Sequence, residues 1–191
     1  MKLSEKFDEA LVYATHAHRN QMRKKTGIPF IAHILGVTAI ALEYGANENE
    51  AIGALLHDTV EDCGGAERLR DIRETFGDEV ASIVDGCTDT YETPKPPWLE
   101  RKRAYIEHLK DSDSPTRLVS AADKLHNTRA ILAEFRRRGP EVFERFSGKK
   151  EGTLWYYRAL VTAFRQHGDH TDLIDELDRV VTEIEQLVAK P

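Results

Sequence analysis

Apolar side chains recur along most of this chain at intervals of three and four residues, the spacing that gathers them on one face of a helix. Phe7, Leu11 and Ala14, continued by His18, mark such a face over residues 4–18, with Ser4 placed to cap its start. A second helix has Pro29 in its first turn, runs to Tyr44 and stops at Gly45. A third spans 48–62 and ends at Gly64-Gly65. Two short helices, 66–76 and 78–85, are separated by Gly77. The stretch "CTDTYETPKPP" (87–97) is a loop by its prolines and polar residues. Helices then fit 97–110, 115–137, 153–167 and 171–189, with a short extra turn over 140–146. No run alternates apolar with polar at the strand period, and no repeat or linker divides the chain. The expected fold is therefore all-α, one compact domain over residues 1–191. The last helix carries Leu173, Ile174, Leu177, Val181, Ile184 and Val188 on one face, which is expected to pack on the domain or on a second copy of it in a homodimer.

Composition narrows the class. A chain of 191 residues is long enough for a sizeable core, and 40% hydrophobic with 31% charged residues is ordinary for a soluble globular protein. No apolar run approaches membrane-spanning length, and the N-terminus lacks a signal-peptide core, so the expected location is cytoplasmic with no membrane partner. Cys63 and Cys87 follow no zinc or redox spacing and read as reduced thiols. A net charge of -6 argues against broad nucleic-acid binding but leaves room for a small anion in a locally basic pocket. The stretch from Arg19 to Gly27, with Arg23, Lys24 and Lys25, is such a basic segment, although a solvated turn has the same composition.

The chemistry concentrates in "ALLHDTVEDC", residues 54–63. On a continuous helix His57 would lie one turn before Glu61, and Asp58 one turn before Asp62, giving two neighbouring polar rows. Ile52, Leu55, Leu56, Thr59 and Val60 surround them. An exposed acidic helix end is the plain alternative, but carboxylates and imidazole set into apolar surface are costly unless compensated, and a bound cation compensates both. His33, flanked by Phe30, Ile31, Ile34 and Leu35, would by itself be a core histidine. Asp123, in "LVSAADKLHNTRAIL", sits at the edge of a stripe made by Leu118, Ala121, Ala122, Leu125 and Leu132, with Asn127 one turn later. Together His33, His57, Asp58 and Asp123 form a two-histidine, two-carboxylate set suited to manganese, iron(II) or zinc.

The order H…HD…D resembles that of the HD phosphohydrolase superfamily. The strings "AHRNQMRKKTGIPFIAH", "ALLHDTVEDC", "ERKRAYIEHL" and "LVSAADKLHNTRA" are similar to consecutive motifs of the hydrolase domain of Rel/SpoT enzymes and of stand-alone small alarmone hydrolases, over roughly residues 10–165. The resemblance implies an all-helical, cytoplasmic enzyme that holds one Mn²⁺. Such an enzyme removes the 3′-pyrophosphate of (p)ppGpp, the nucleotide of the stringent response, leaving GDP or GTP. It makes His33, His57, Asp58 and Asp123 the metal ligands and Glu61 and Asp62 the catalytic acidic pair, with Glu61 the direct participant. It puts Arg23, Lys24, Lys25 and Thr26 in a base- and phosphate-binding loop, with the lysines shielding phosphate charge, and makes Asn127 a nucleotide contact. The family's "RKSGEPYIxH" is one residue shorter than the segment here, which leaves Arg23 and Lys24 as alternatives for one position. Ala130 replaces a common hydroxyl residue. These departures lead to an expectation of relaxed purine selectivity, with (p)ppApp also cleaved. Of Trp155, Tyr156 and Tyr157, consecutive on a helix, one is expected to reach the nucleotide while the others pack. Other classes left open are hydrolysis of a different phosphorylated nucleotide, such as NADPH at its 2′-phosphate or a deoxynucleotide, and nucleotide sensing without turnover.

Overall fold

The computed structural model describes residues 2–92 and 94–190; Thr93 of the expected loop and the terminal Met1 and Pro191 lie outside the described residues. Ten α-helices follow one another: α1 (Glu5–Ala17), α2 (Ile31–Glu43), α3 (Glu48–Leu56), α4 (Thr59–Cys63), α5 (Gly65–Phe76), α6 (Asp78–Cys87), α7 (Trp98–Asp111), α8 (Ser114–Arg138), α9 (Lys149–Arg165) and α10 (Thr171–Val188). A 3-10 helix, Gly139–Arg145, fills the turn expected after α8. Among the described residues there is no strand, only an isolated bridge between Met22 and Pro29.

The all-α expectation holds, with one informative difference. The third helix does not run unbroken from 48 to 62: it stops at Leu56 and restarts at Thr59. Its start is firm, because Asn47 and Glu50 cap each other reciprocally, at 3.0 and 2.6 Å. Its end is set by side chains. The His57 imidazole donates to the Ala54 carbonyl at 2.8 Å and the Thr59 hydroxyl to the Leu56 carbonyl at 2.6 Å. Side chains that satisfy helix carbonyls offer the backbone an alternative to the next helical turn. His57 and Asp58 therefore sit at a corner. Pro29 likewise lies just outside α2, in the bridge that closes the basic loop.

Two apolar cores are built on shared helices. One joins Ala10 and Ala14 of α1, Ile34 of α2, Ile52, Leu55 and Leu56 of α3, and Ile72, Phe76, Val80 and Val84 of α5 and α6. The larger joins Val37 and Ile40 of α2 and Ile83 of α6 to α7, α8, α9 and α10. The 25-residue α8 is the spine, packing on α2, α3, α6, α9 and α10. It is capped by Asp113, which accepts from Thr116 N at 2.9 Å, and carries Pro115 in its first turn. The α10 face expected to pack on the domain or on a second copy packs within the chain: Leu173, Ile174, Leu177, Val181 and Ile184 are buried, and Val188 half-buried, in the core that α10 shares with α8 and α9. No described helix is long and apolar enough to cross a membrane.

The spine and the cap make unequal contributions. Leu125→Ala, at a fully buried α8 position, is expected to lower unfolding free energy by about 2–5 kcal/mol, and Asn47→Ala by about 1 kcal/mol. Urea unfolding followed by circular dichroism checks both; the reverse ranking would mean that α8 is not the spine.

Candidate metal centre and substrate cavities

Four side chains from three segments meet where the two cores adjoin. His33 comes from the first turn of α2, His57 and Asp58 from the corner between α3 and α4, and Asp123 from the middle of α8. His33 Nε2 is 3.4 Å from Asp58 Oδ2 and 3.3 Å from Asp123 Oδ1; His57 Nε2 is 3.1 Å from Asp58 Oδ2 and 3.9 Å from Asp123 Oδ1. One ligand atom each from His33, His57 and Asp58 fits within 4.8 Å of the others. Atoms that ligate one transition-metal ion at about 2.1 Å stand roughly 3–3.5 Å apart. The tautomer also fits. His57 Nδ1 is the donor to Ala54, so Nε2 is the nitrogen that offers a lone pair to a cation once its proton is displaced. Nε2 is buried and has no hydrogen-bond partner, although Asp58 is 3.1 Å away: the two groups lie side by side rather than donor to acceptor. A buried imidazole nitrogen without a partner, beside two carboxylates, is the arrangement a divalent cation completes.

The charges are strongly coupled. Burial alone would raise Asp58 and Asp123, but His57 and His33 hold Asp58 well below the usual carboxylate range, and Lys124 with His33 does the same for Asp123. Burial lowers His57, yet Asp58 and Asp123 outweigh it and push the imidazole up to about 9. Asp123 divides its oxygens. Oδ2 takes the Lys124 ammonium, and Oδ1, which faces the histidines, accepts from Asn127 Nδ2 at 2.5 Å. His126, half-buried and close to His33 and Arg23, is lowered by desolvation and these neighbours to about 4 and is neutral at pH 7.

The acidic pair separates. Glu61 accepts from Lys95 at 2.6 Å and from the Asp89 backbone N–H at 3.4 Å, and faces the metal-side cavity. Asp62 turns the other way and accepts from Gln21 at 2.6 Å, while Gln21 Oε1 in turn accepts from His18 at 2.7 Å. Burial and the charge of Asp58 raise Asp62.

Two cavities meet at Asn127. The smaller, about 150 Å³, is lined by His57, Asp58, Glu61, Lys102, Asp123, Lys124 and Tyr156. The larger, about 300 Å³, has apolar walls of Ile28, Ala130, Ile131 and Phe146, with Arg23, Lys24, Thr26, Arg145 and Tyr157 around them. The structure thus brings His33, His57, Asp58, Asp123, Glu61 and Asn127 together, and places Arg23, Lys24 and Thr26 at the larger cavity. Lys25 is exposed, at a positive φ of 60°, and lines neither cavity. Of the alternatives Arg23 and Lys24, it is Arg23 that reaches Asn127. The cations on the metal side are Lys102 and Lys124, which the sequence analysis did not single out. Both sit inside motif strings, but a lysine on an amphipathic helix reads as a solvated face until the packing is known. Tyr156 faces the smaller cavity and Tyr157 the larger, while Trp155 packs on Trp98.

Residues 10–154 match the HD domain family. Guanosine-3′,5′-bis(diphosphate) 3′-pyrophosphohydrolase MESH1 of Mus musculus is 41% identical over 127 residues, 64% of this chain and 68% of that protein. The protein of the same name in Danio rerio is 40% identical over 126 residues, 64% of this chain and 67% of that one. Among solved structures, a metazoan ortholog of SpoT that hydrolyzes ppGpp superposes with a TM-score of 0.80 at 28% identity, covering 96% of this chain and 97% of that one.

Metal uptake is expected to carry a pH signature. Below about 9 the metal-free His57 holds a proton that a cation must displace, so apparent affinity rises with pH, about tenfold per unit, and levels off near 9. Calorimetric titration with Mn²⁺ in buffers of different ionisation enthalpy reads the proton released. Asp58→Ala is expected to emerge from purification without metal; full metal content in that variant would overturn the ligand assignment.

Proposed function

The chain belongs to the HD-domain family, and we propose that it hydrolyses the 3′-pyrophosphate of purine nucleotides of the (p)ppGpp type, releasing pyrophosphate. The observation that carries this is the pair of cavities joined at Asn127. A small chamber that carries the two-histidine, two-carboxylate cluster together with Lys102 and Lys124 suits two phosphoryl groups bound with a divalent cation. The larger chamber, with apolar walls, an arginine and a tyrosine, suits a nucleoside. A nucleotide with its pyrophosphate on the ribose 3′-oxygen fills both. The name and activity of the relatives agree with this substrate.

His33, His57, Asp58 and Asp123 would hold a divalent cation, Mn²⁺ in this proposal, which when bound would supply Lewis acidity and make water easier to deprotonate. The protein supplies the rest. Lys102 and Lys124 meet the negative charge of the pyrophosphate. Burial opposes the charge of Lys124, but Asp123 outweighs it and holds the ammonium well above its ordinary value. Burial lowers Lys102 despite Asp89 beside it. Glu61, held by Lys95 and directed into the chamber, moves the proton between the attacking water and the ribose oxygen that leaves. Asp62, engaged by Gln21 on the other side of α4, orients that segment.

Base discrimination is expected to be weak. Asn127 is the amide side chain at the larger cavity, and both its ends are engaged: Oδ1 accepts from Arg23 at 2.6 Å and Nδ2 donates to Asp123 at 2.5 Å. Ala130 and Ile131 offer no hydrogen bonds, and Arg23 stacks on either purine.

Incubation of the Mn²⁺-loaded protein with ppGpp, followed by ion-exchange separation, should yield pyrophosphate and GDP; release of orthophosphate alone would refute the bond assignment. Glu61→Gln is expected to keep its metal and fold and lose about 10²–10⁴ in turnover. Kinetic constants for ppGpp and ppApp should lie within a thousandfold, roughly 4 kcal/mol. A larger preference would mean the cavity reads the base edge.

A further inference from the structure

Arg23 belongs to a basic loop, yet its guanidinium is turned inward. Nη2 donates to Asn127 Oδ1 at 2.6 Å, and Nη1 lies 3.4 Å from His126 Nδ1. A guanidinium has only donors. His126 Nδ1 is therefore an acceptor, and that ring carries its proton on Nε2. The next link follows. His33 Nδ1 is 2.9 Å from the same His126 nitrogen, so His33 is the donor and its Nε2 is left with a free lone pair toward the carboxylates. On the other prong, Arg23 fixes which way round the Asn127 amide sits, and Nδ2 then points at Asp123 Oδ1. One side chain thus sets the tautomer of one metal ligand and orients a second.

The surroundings hold this fork in place. The loop closes on itself through Arg23 N–H to the Ile28 carbonyl at 2.8 Å and Thr26 N–H to the Arg23 carbonyl at 3.1 Å. Lys25 and Gly27 take left-handed backbone, with φ of 60° and 70°, which turns the loop between these two bonds. On the far side the His126 ring lies against α2 where Gly36 has no side chain: a Cβ there would stand 2.3 Å from the ring's Cδ2 and Nε2.

We infer that Arg23 is a positioning residue of the metal centre, acting through His126 on His33 and through Asn127 on Asp123, before any nucleotide binds. The inference rests on the metal-site assignment made above, and it adds a role that contact with a base does not require. Groups that orient metal ligands from behind are worth about 10–100-fold in metal affinity.

The test is titration of metal-free protein with Mn²⁺ in the absence of nucleotide, together with the Co²⁺ absorption spectrum and helical circular dichroism. Arg23→Ala should keep its helical content, weaken Mn²⁺ binding about 10–100-fold and shift the Co²⁺ bands. Gly36→Ala, which displaces the His126 ring, should weaken binding in the same direction and carries the test if Arg23→Ala folds poorly. Arg19→Ala, which removes an exposed charge from the same loop, should leave metal affinity unchanged. Wild-type binding of Mn²⁺ with Arg23→Ala within twofold of it would overturn this inference alone. A wild-type protein that takes up no Mn²⁺ would overturn the metal centre and this inference with it.

Discussion

Two imidazoles stand 3.1–3.9 Å from two carboxylates at the seam between two apolar cores, and the neighbourhood is organised around making that tolerable. Unpaired charge at such depth would be expelled or neutralised. Three of the four groups have partners outside the cluster. Ala54 takes the proton of His57, His126 that of His33, and Lys124 and Asn127 hold the two oxygens of Asp123. With the second proton of His57 displaced, the inward atoms offer lone pairs to a cation, so the outer hydrogen bonds shape the cluster as much as the inner atoms do.

That requirement explains two local departures from regular helix. At the break between α3 and α4 the adjacent His57 and Asp58 both bring a side-chain atom to the cluster. The side chains of His57 and Thr59 take carbonyls of α3 at that corner. The loop before α2 is folded back by the Met22–Pro29 bridge, and this brings Arg23 over α8. Within α8 one turn supplies Asp123, Lys124, His126 and Asn127, each at a different angle: to the cluster, to the smaller cavity, to His33 and to the junction of the two cavities.

In the proposed function the same arrangement divides the substrate. The groups assigned to phosphate charge lie on α7 and α8, on the cluster side of Asn127; the groups assigned to a base lie in the basic loop and on the helices beyond it. Arg23 touches both halves of this division, lining the nucleoside cavity while bonded to residues that hold the metal ligands.

Local periodicity and ordered motifs were enough to determine the all-helical class, most helix positions and the four residues that meet in the cluster, because each leaves its mark within a few positions of sequence. The α10 stripe was equally legible, but that its partner is α8 and α9 of the same chain depends on the fold. The corner at residue 57 was not legible, since His, Asp and Thr at those positions fit a helix and the break comes from side chains taking carbonyls. Nor were the metal-side cations. Lys25 and Lys124 look alike in sequence; one is exposed on a left-handed turn, and the other is bonded to Asp123. Sequence spacing reports which residues share a face of one helix. Which face meets which, and so which charge ends beside a buried carboxylate, is decided by helices packing at contacts far apart in the chain.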